Sequence, residues 1–242
     1  MPASAVVGVD TGGTFTDFVV VDEHGLRVHK VPSTPNDPSL AILGGLAELG
    51  LSAHGSRLSA LGEGEPVVAD SRRLPADDPK PFRLVHGTTV ATNAVLERNG
   101  ARAAFLTTRG FRDLLAIGRQ TRRELYALEP TRPEPLVSPR DCYEVDERVG
   151  PHGQVLRPLD PGEAEAVIER IAHSGVKTVA VTLLFAFANP EHEQIIGRLA
   201  ARHGLSVSLS SEIAPEHREY ERASTTVINA FVRPVVARYL ER

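Results

Sequence analysis

The sequence predicts an α/β fold, a mixed-direction sheet flanked by helices, and two observations carry that prediction. The chain opens with two β-branched apolar runs, Val6-Val7-Gly8-Val9 and Phe18-Val19-Val20-Val21, joined by a polar turn too short for anything but a hairpin. From Asp160 to the C-terminus, helical and strand patterns alternate, as they do where helices pack on a sheet.

In chain order, Leu26–Val31 alternates and adds a third strand to the hairpin. Asp37-Pro38 supplies an N-cap followed by proline at the first helical position. Leu40, Leu43, Leu46, Ala47 and Leu49 then mark one helix face up to Gly50. Residues 51–81 hold no sustained periodicity and read as a loop insertion. Phe82–Val85 is a short strand with a helix after it through Leu96, and Ala101–Leu106 is a buried strand followed by a short helix, Phe111–Ile117. Prolines make 129–140 a semi-rigid crossover.

Tyr143–Val149 alternates as a strand and pairs with Gln154–Leu156 across a glycine turn, with Glu147 and Arg148 on its solvated face. Asp160-Pro161-Gly162-Glu163 is a capping box opening a helix that Gly175 stops. Val176–Phe185 is a buried strand, Asn189-Pro190 starts a helix through His203, and Leu205–Ser210 is the next strand. The last helical pattern begins near His217. Tyr220, Ala223, Val227, Ala230 and Phe231 face its core, Glu216, Glu219 and Glu221 its solvent, and Pro234 is expected to kink or split it.

Composition bounds the function. With 242 residues, 41% apolar and 24% charged, the chain is long enough for a substantial core and is ordinary for a soluble globular protein. A net charge of −4 and a pI near 6.1 argue against a nucleic-acid partner. The single cysteine, Cys142, fits a reducing cytosol, and its acidic neighbours Asp141, Glu144 and Asp146 disfavour a thiolate, which reads as a structural cysteine. Without a targeting segment or an apolar run near the ~18 residues of a membrane span, the expectation is a cytoplasmic protein with no membrane partner.

The chemistry is concentrated in Asp10-Thr11-Gly12-Gly13-Thr14-Phe15-Thr16-Asp17. Consecutive glycines let backbone amides approach a ligand, and Thr11, Thr14 and Thr16 add hydroxyl donors suited to phosphate oxygens. Asp10 at the strand end and Asp17 are hard oxygen donors of the kind a hydrated Mg²⁺ prefers. The implied ligand is a nucleotide polyphosphate with Mg²⁺. A second cluster, His86-Gly87-Thr88-Thr89, lies at a strand-to-helix junction whose amides and hydroxyls favour an anion; helix capping explains Thr88 or Thr89 equally well. Arg109, Arg112 and Arg119 are cationic candidates whose default role is surface pairing. No Walker-type or dinucleotide glycine motif occurs.

A phosphate turn between two strands resembles the first phosphate motif of the actin, sugar-kinase and chaperone ATPase superfamily. More specifically, Gly8–Asp17, His86–Glu97, Thr107–Asp113, Glu147–Val149 and Glu219–Ala230 together resemble the hydantoinase/oxoprolinase family, the HyuA-type subunits. The resemblance implies a ribonuclease-H-like, actin-like ATPase lobe within residues 1–210, with 211–242 as the helical start of the following domain. It implies ATP and Mg²⁺ as cofactors, with Asp10 as the metal-positioning residue and Asp10, Asp17 and His86 catalytic. Thr11, Gly12, Gly13, Thr14, Thr16, Gly87, Thr88 and Thr89 would bind the nucleotide.

The activity it implies is ATP-dependent opening of cyclic amides such as hydantoins or 5-oxoproline. The alternatives are the ATP-using subunit of an acetone- or acetophenone-type carboxylase, and a nucleotide-binding module without catalysis. A second Asp-x-Gly-Gly-Thr is missing, and family members are much longer. The expectation is therefore the N-terminal part of such a subunit, truncated or split, with its second ATPase lobe missing. Its partners would be that C-terminal lobe or a HyuB-type subunit, and in isolation it would bind nucleotide weakly and turn over little.

Overall fold

The computed structural model describes residues 5–34, 37–51, 82–121, 126, 128 and 134–240. Most of the expected loop insertion, residues 52–81, and part of the proline-rich crossover, residues 129–133, lie outside the described residues. The chain divides into two compact units, one of residues 1–97 with 235–242 and one of residues 98–234.

The first unit is built on β1 (Ala5–Thr11), β2 (Phe15–Asp22) and β3 (Gly25–Pro32), an antiparallel meander. Helix α1 (Pro38–Glu48) follows, then β4 (Phe82–Thr88), which pairs in parallel with β1, and α2 (Val90–Leu96). The sheet order is β3-β2-β1-β4. Because side chains alternate along a strand, the sheet has two unlike faces. Val7, Val9, Phe18, Val20 and Val31 pack under Ala41 and Leu46 of α1. Val6, Val19, Val21, Leu26, Val28 and Val85 are exposed, and their pairing register puts them together on the other face.

Helix α1 starts where its sequence signals it, with the Asp37 side chain accepting from the Ser39 amide and proline at the first turn. Its buried face differs from the leucine stripe. Ala41, Gly45 and Leu46 are buried, while Leu40 and Leu43 are exposed. Gly45 sits on the Phe18 ring, where a Cβ would lie 2.3 Å from Cζ, so the helix seats through its smallest residues.

The second unit carries a parallel sheet of order β10-β9-β5-β6. Its strands and helices are β5 (Ala103–Thr108), α3 (Leu114–Ile117), a 3₁₀ turn (Pro139–Asp141), β6 (Cys142–Val145), the hairpin β7 (Arg148–Val149) with β8 (Val155–Arg157), α4 (Pro161–His173), β9 (Thr178–Thr182), α5 (Glu191–Arg202), β10 (Ser206–Leu209) and α6 (Ser210–Ile213). Helix α7 (Glu219–Leu240) completes the order. One sheet face, Ala104, Leu106, Val179 and Val181, packs against Ile168 and Ile171 of α4 and Ile196 and Leu199 of α5. The other face, Ala103, Phe105 and Ala180, packs against Ala223, Val227 and Ala230 of α7. The α/β class therefore holds, but as two separate four-stranded sheets, one mixed and one parallel, beside the two-stranded β7–β8 hairpin.

Three local departures have physical reasons. The expected strand Tyr143–Val149 breaks at Asp146-Glu147, because Glu147 turns inward, is 1% exposed and hydrogen-bonds His192; its expected place on a solvated face is corrected. The strand expected to run to Phe185 ends at Thr182, where the Leu183 and Leu184 amides donate to Glu193 and Thr108 and Phe185 takes a positive φ of 55°. Helix α7 runs through Pro234 and is not split into two helices. Proline offers no N–H to the carbonyl four residues back. The freed Ala230 carbonyl accepts from Thr178 Oγ1 at 3.1 Å, and the next, Phe231, accepts from the Ala101 amide at 2.9 Å.

Adjacent glycines in α1 make a paired test. Gly45→Ala drives a methyl into the Phe18 ring and is expected to destabilise by about 1–3 kcal/mol. Gly44→Ala meets nothing within 4 Å and is expected to stabilise by about 0.5–1 kcal/mol through helix propensity. Urea midpoints of the two variants should move in opposite directions.

Candidate functional site

The turn between β1 and β2 is stapled from below. The Gly12 amide donates to the Phe15 carbonyl at 3.0 Å, Ser33 Oγ donates to the Gly12 carbonyl at 2.8 Å, and the Ser33 amide donates to the Thr14 carbonyl at 2.9 Å. Ser33, just past β3, thus holds the turn from the neighbouring strand. These bonds leave Gly13 and Thr14 exposed at the tip. Gly12 has no room for a side chain, since a Cβ would lie 3.1 Å from the Phe15 carbonyl oxygen.

Strand alternation sorts the predicted residues onto two sheet faces. Asp10 and Asp17 are directly opposed across β1 and β2 on the open face. Asp17 pairs with Lys30 Nζ at 2.9 Å. Gly87, in register with Asp10 on β4, lacks a Cβ that would lie 3.4 Å from Asp10 Oδ1. Thr11 and Thr16 are likewise directly opposed, but on the α1 side, and both are buried. The Thr16 hydroxyl is taken by Ser33 Oγ at 3.0 Å and the Thr11 hydroxyl by His86 Nε2 at 3.1 Å. The structure therefore brings Asp10, Asp17 and Gly87 together, and Thr11 with His86, on opposite sides of the strand tips.

His86 is exposed as a residue, yet partial desolvation of its ring lowers its pKa, partly opposed by the charge of Asp10. Thr89 ties β4 to the turn, its amide donating to the Thr11 carbonyl at 3.2 Å. Thr88, one residue before the N-cap Thr89 of α2, accepts from the Val90 amide through its hydroxyl at 3.2 Å, while Thr89 itself makes no side-chain cap bond. Asn93, one turn into α2, donates to Thr89 Oγ1 at 3.3 Å, and its Nδ2 would lie 3.7 Å from a Cβ on Gly13. Three residues at the site were not singled out from the sequence: Ser33, Asn93 and Tyr239. Asn93 carried a signal, lying four positions after Thr89 on the same helical face; Tyr239, whose hydroxyl lies 2.7 Å from His86 Nε2, carried none.

The second unit holds a buried polar network. Thr108 donates to Glu147, whose other oxygen lies 2.8 Å from His192 Nδ1. Glu193 accepts from the Leu183 and Ser211 amides and the Ser210 hydroxyl, and burial pushes its pKa up. Arg222, fully buried, donates to Ser210 Oγ, the Leu183 carbonyl and Glu219. Glu219 also accepts from the Phe185 amide at 3.4 Å, so it faces this network and not open solvent. These groups tie the ends of β5 and β9 and the β6–β7 junction to α5, α6 and α7.

Arg109 and Arg119 pair with Asp146 and Glu221, and Arg112 donates to the Pro139 carbonyl. A cleft of about 250 Å³ is lined by the candidate Arg109 with Glu144, Asp146 and Glu163, and by none of the residues of the β1–β2 turn or the His86 cluster. Among the described residues no group of three or more His, Cys, Asp and Glu is placed to hold a metal, and no helix is long and apolar enough to cross a membrane.

Two outcomes follow. Like charges directly opposed across strands are destabilising, so Asp10→Asn is expected to stabilise the ligand-free protein by about 0.2–1 kcal/mol, read as a raised urea midpoint. Burial pushes the Cys142 thiol up to about 11, so the reactive thiolate forms only toward that pH. Alkylation of the folded chain by iodoacetamide should be negligible at pH 8, climb steeply above pH 10, and become fast at pH 8 only in denaturant.

Residues 6–204 match the family profile described as the hydantoinase/oxoprolinase N-terminal region. The chain is 35% identical to the caprolactamase subunit alpha of Pseudomonas jessenii over 98% of its own length and 32% of the relative's. It is 32% identical to the 5-oxoprolinase of Saccharomyces cerevisiae, over 97% of this chain and 20% of that one. It is 30% identical to the acetophenone carboxylase gamma subunit of Aromatoleum aromaticum, over 94% and 31%. The crystal structure of the ATP-dependent caprolactamase superposes with a TM-score of 0.75 at 33% identity, covering 98% of this chain and 33% of that one. The chain spans about a third or less of the length of these relatives.

Proposed function

The chain belongs to the hydantoinase/oxoprolinase family, and from that premise we propose that it carries the phosphate-binding turn of an ATP-dependent enzyme that opens cyclic amides of the hydantoin or 5-oxoproline type. The observation that carries the proposal is the pair Asp10 and Asp17, facing each other beside an exposed glycine tip. Two like charges held in register at a strand end are unfavourable unless something cationic joins them. Lys30 answers Asp17, which leaves the Asp10 carboxylate for a cation.

The donor set fits Mg²⁺, which keeps most of its water and takes one or two carboxylates plus phosphate oxygens, and does not require an all-protein cage. Asp10 would hold the ion through its water shell, and the Gly13 and Thr14 amides would receive phosphate. Asp17, fixed by Lys30, would orient the turn, with Gly12 and Gly87 allowing close approach. Thr11, Thr16, Thr88 and Thr89 support the site through the bonds described above, and His86 stands at its edge. When bound, Mg-ATP would supply the phosphoryl group that turns a poor amide oxygen into a leaving group, a reaction that demands mainly positioning and charge neutralisation.

The rest of the reading concerns the whole enzyme. Residues 211–242 are taken as the start of the next domain, supported by the end of the family match at residue 204. A HyuB-type partner subunit is supported by the caprolactamase relative being a subunit alpha. Cytoplasmic placement belongs to the same proposal. A second reading, activation of a ketone for carboxylation, is favoured by the likeness to the acetophenone carboxylase gamma subunit.

Calorimetric titration with Mg-ATP tests the core claim. Binding that Asp10→Ala weakens at least tenfold, and that omission of Mg²⁺ abolishes, is the expected outcome. No binding by this chain or by a version of relative-like length would remove the nucleotide reading. In a longer version that binds, 5-oxoproline should stimulate ATP hydrolysis under the first reading, and acetophenone with bicarbonate under the second.

A further inference from the structure

We propose that Tyr239, near the end of α7, is a positioning residue of this site: with Thr11 it holds His86 as the neutral ring whose proton sits on Nδ1, so that His86 offers an N–H donor and not a base. The proposal rests on the reading of the β1–β2 turn as a nucleotide site. Residues 235–242 belong to the same compact unit as β1 and β4, so the contact lies within one unit. Tyr239 Oη stands 2.7 Å from His86 Nε2, and the two rings lie 5.5 Å apart at an interplanar angle of 37°. Thr11 Oγ1 reaches the same nitrogen at 3.1 Å.

Which imidazole nitrogen carries the proton follows from the hydrogen bonds at the ring. Nε2 offers one in-plane direction, whether as N–H or as lone pair, and its nearer partner is a phenol, a weak acceptor because its oxygen lone pair is delocalised into the ring but a good donor. A lone pair on Nε2 therefore receives the phenolic O–H well and the alcohol at longer range. The two distances have that order. Partial desolvation of the ring, which favours its neutral form, works in the same direction.

The Thr11 end of this chain of contacts is the site itself. Thr11 closes β1 at the phosphate turn and its carbonyl takes the Thr89 amide. A tyrosine 153 positions along the sequence from His86 therefore fixes the ring that stands beside that turn. Without the phenol oxygen, His86 loses its shorter bond, and the ring becomes free to exchange its proton between the two nitrogens.

The test is a long-range ¹H–¹⁵N correlation spectrum of the ligand-free chain labelled in its histidines, with a His86→Gln spectrum for assignment. The expected result is a pyrrole-type Nδ1 and a pyridine-type Nε2 for His86. Tyr239→Phe, which keeps the ring volume, should pull both shifts toward a tautomer mixture, and Thr11→Val should do so to a smaller degree. A proton on Nε2 in the wild type, or a spectrum that Tyr239→Phe leaves in place, overturns the proposal. In the Mg-ATP titration Tyr239→Phe should weaken binding roughly 2- to 10-fold, as loss of one hydrogen bond's influence allows; unchanged affinity in a protein that binds overturns the positioning role. Because the spectrum is read without nucleotide, loss of the nucleotide reading and loss of this assignment are separate results.

Discussion

The register of β1 against β2 and β4 is the constraint on which the candidate site depends. Side chains alternate with a period of two, so one register decides every residue's face. Pairing Asp10 with Asp17 and Thr11 with Thr16 puts the carboxylates on the open face and the hydroxyls under α1. A slip of one residue in β2 would turn Asp17 under α1 and lift Thr16 and Phe18 onto the open face. The apolar stripe of Val7, Val9, Phe18 and Val20 fixes that choice. The hydrophobic core of this unit therefore positions the charges at its rim.

In the second unit the equivalent constraint is polar. Parallel strands end in loops whose amides need partners, and here buried side chains supply them: Glu193 for Leu183 and Ser211, Thr108 for Leu184, Glu219 for Phe185. Arg222 closes the network by donating to a carbonyl, a hydroxyl and a carboxylate. Such groups are costly to bury singly and tolerable only when nearly all their partners are present. The same logic lets α7 carry a proline, since the Ala230 carbonyl that loses its helical donor is met by the Thr178 hydroxyl.

Local chemistry made much of this legible in the sequence. The hairpin, the Asp37-Pro38 and Asp160-Pro161 helix starts, and most strand positions came from caps, β-branched runs and glycine stops, which act over a few residues. What escaped depends on distant partners. The alternation that suggested a solvated Glu147 was overruled by His192, 45 positions away. The leucine stripe of α1 misled because Gly45 on Phe18 sets the helix closer than leucines would allow. The turn residues were recognisable as a group, but their division between two faces needs the register. Tyr239 was invisible, since a lone tyrosine in a helical pattern looks like packing.

The uncovered face of the first sheet also bears on how this polypeptide behaves as a material. Val6, Val19, Val21, Leu26, Val28 and Val85 form a greasy plate with Leu26 and Val28 each 67% in solvent, and contiguous patches of that kind are what soluble proteins ordinarily hide. Two such plates attract whenever they meet, independently of whether either molecule is unfolded. Association through this face is then governed by concentration and by salts that strengthen apolar contact, and it requires no unfolding.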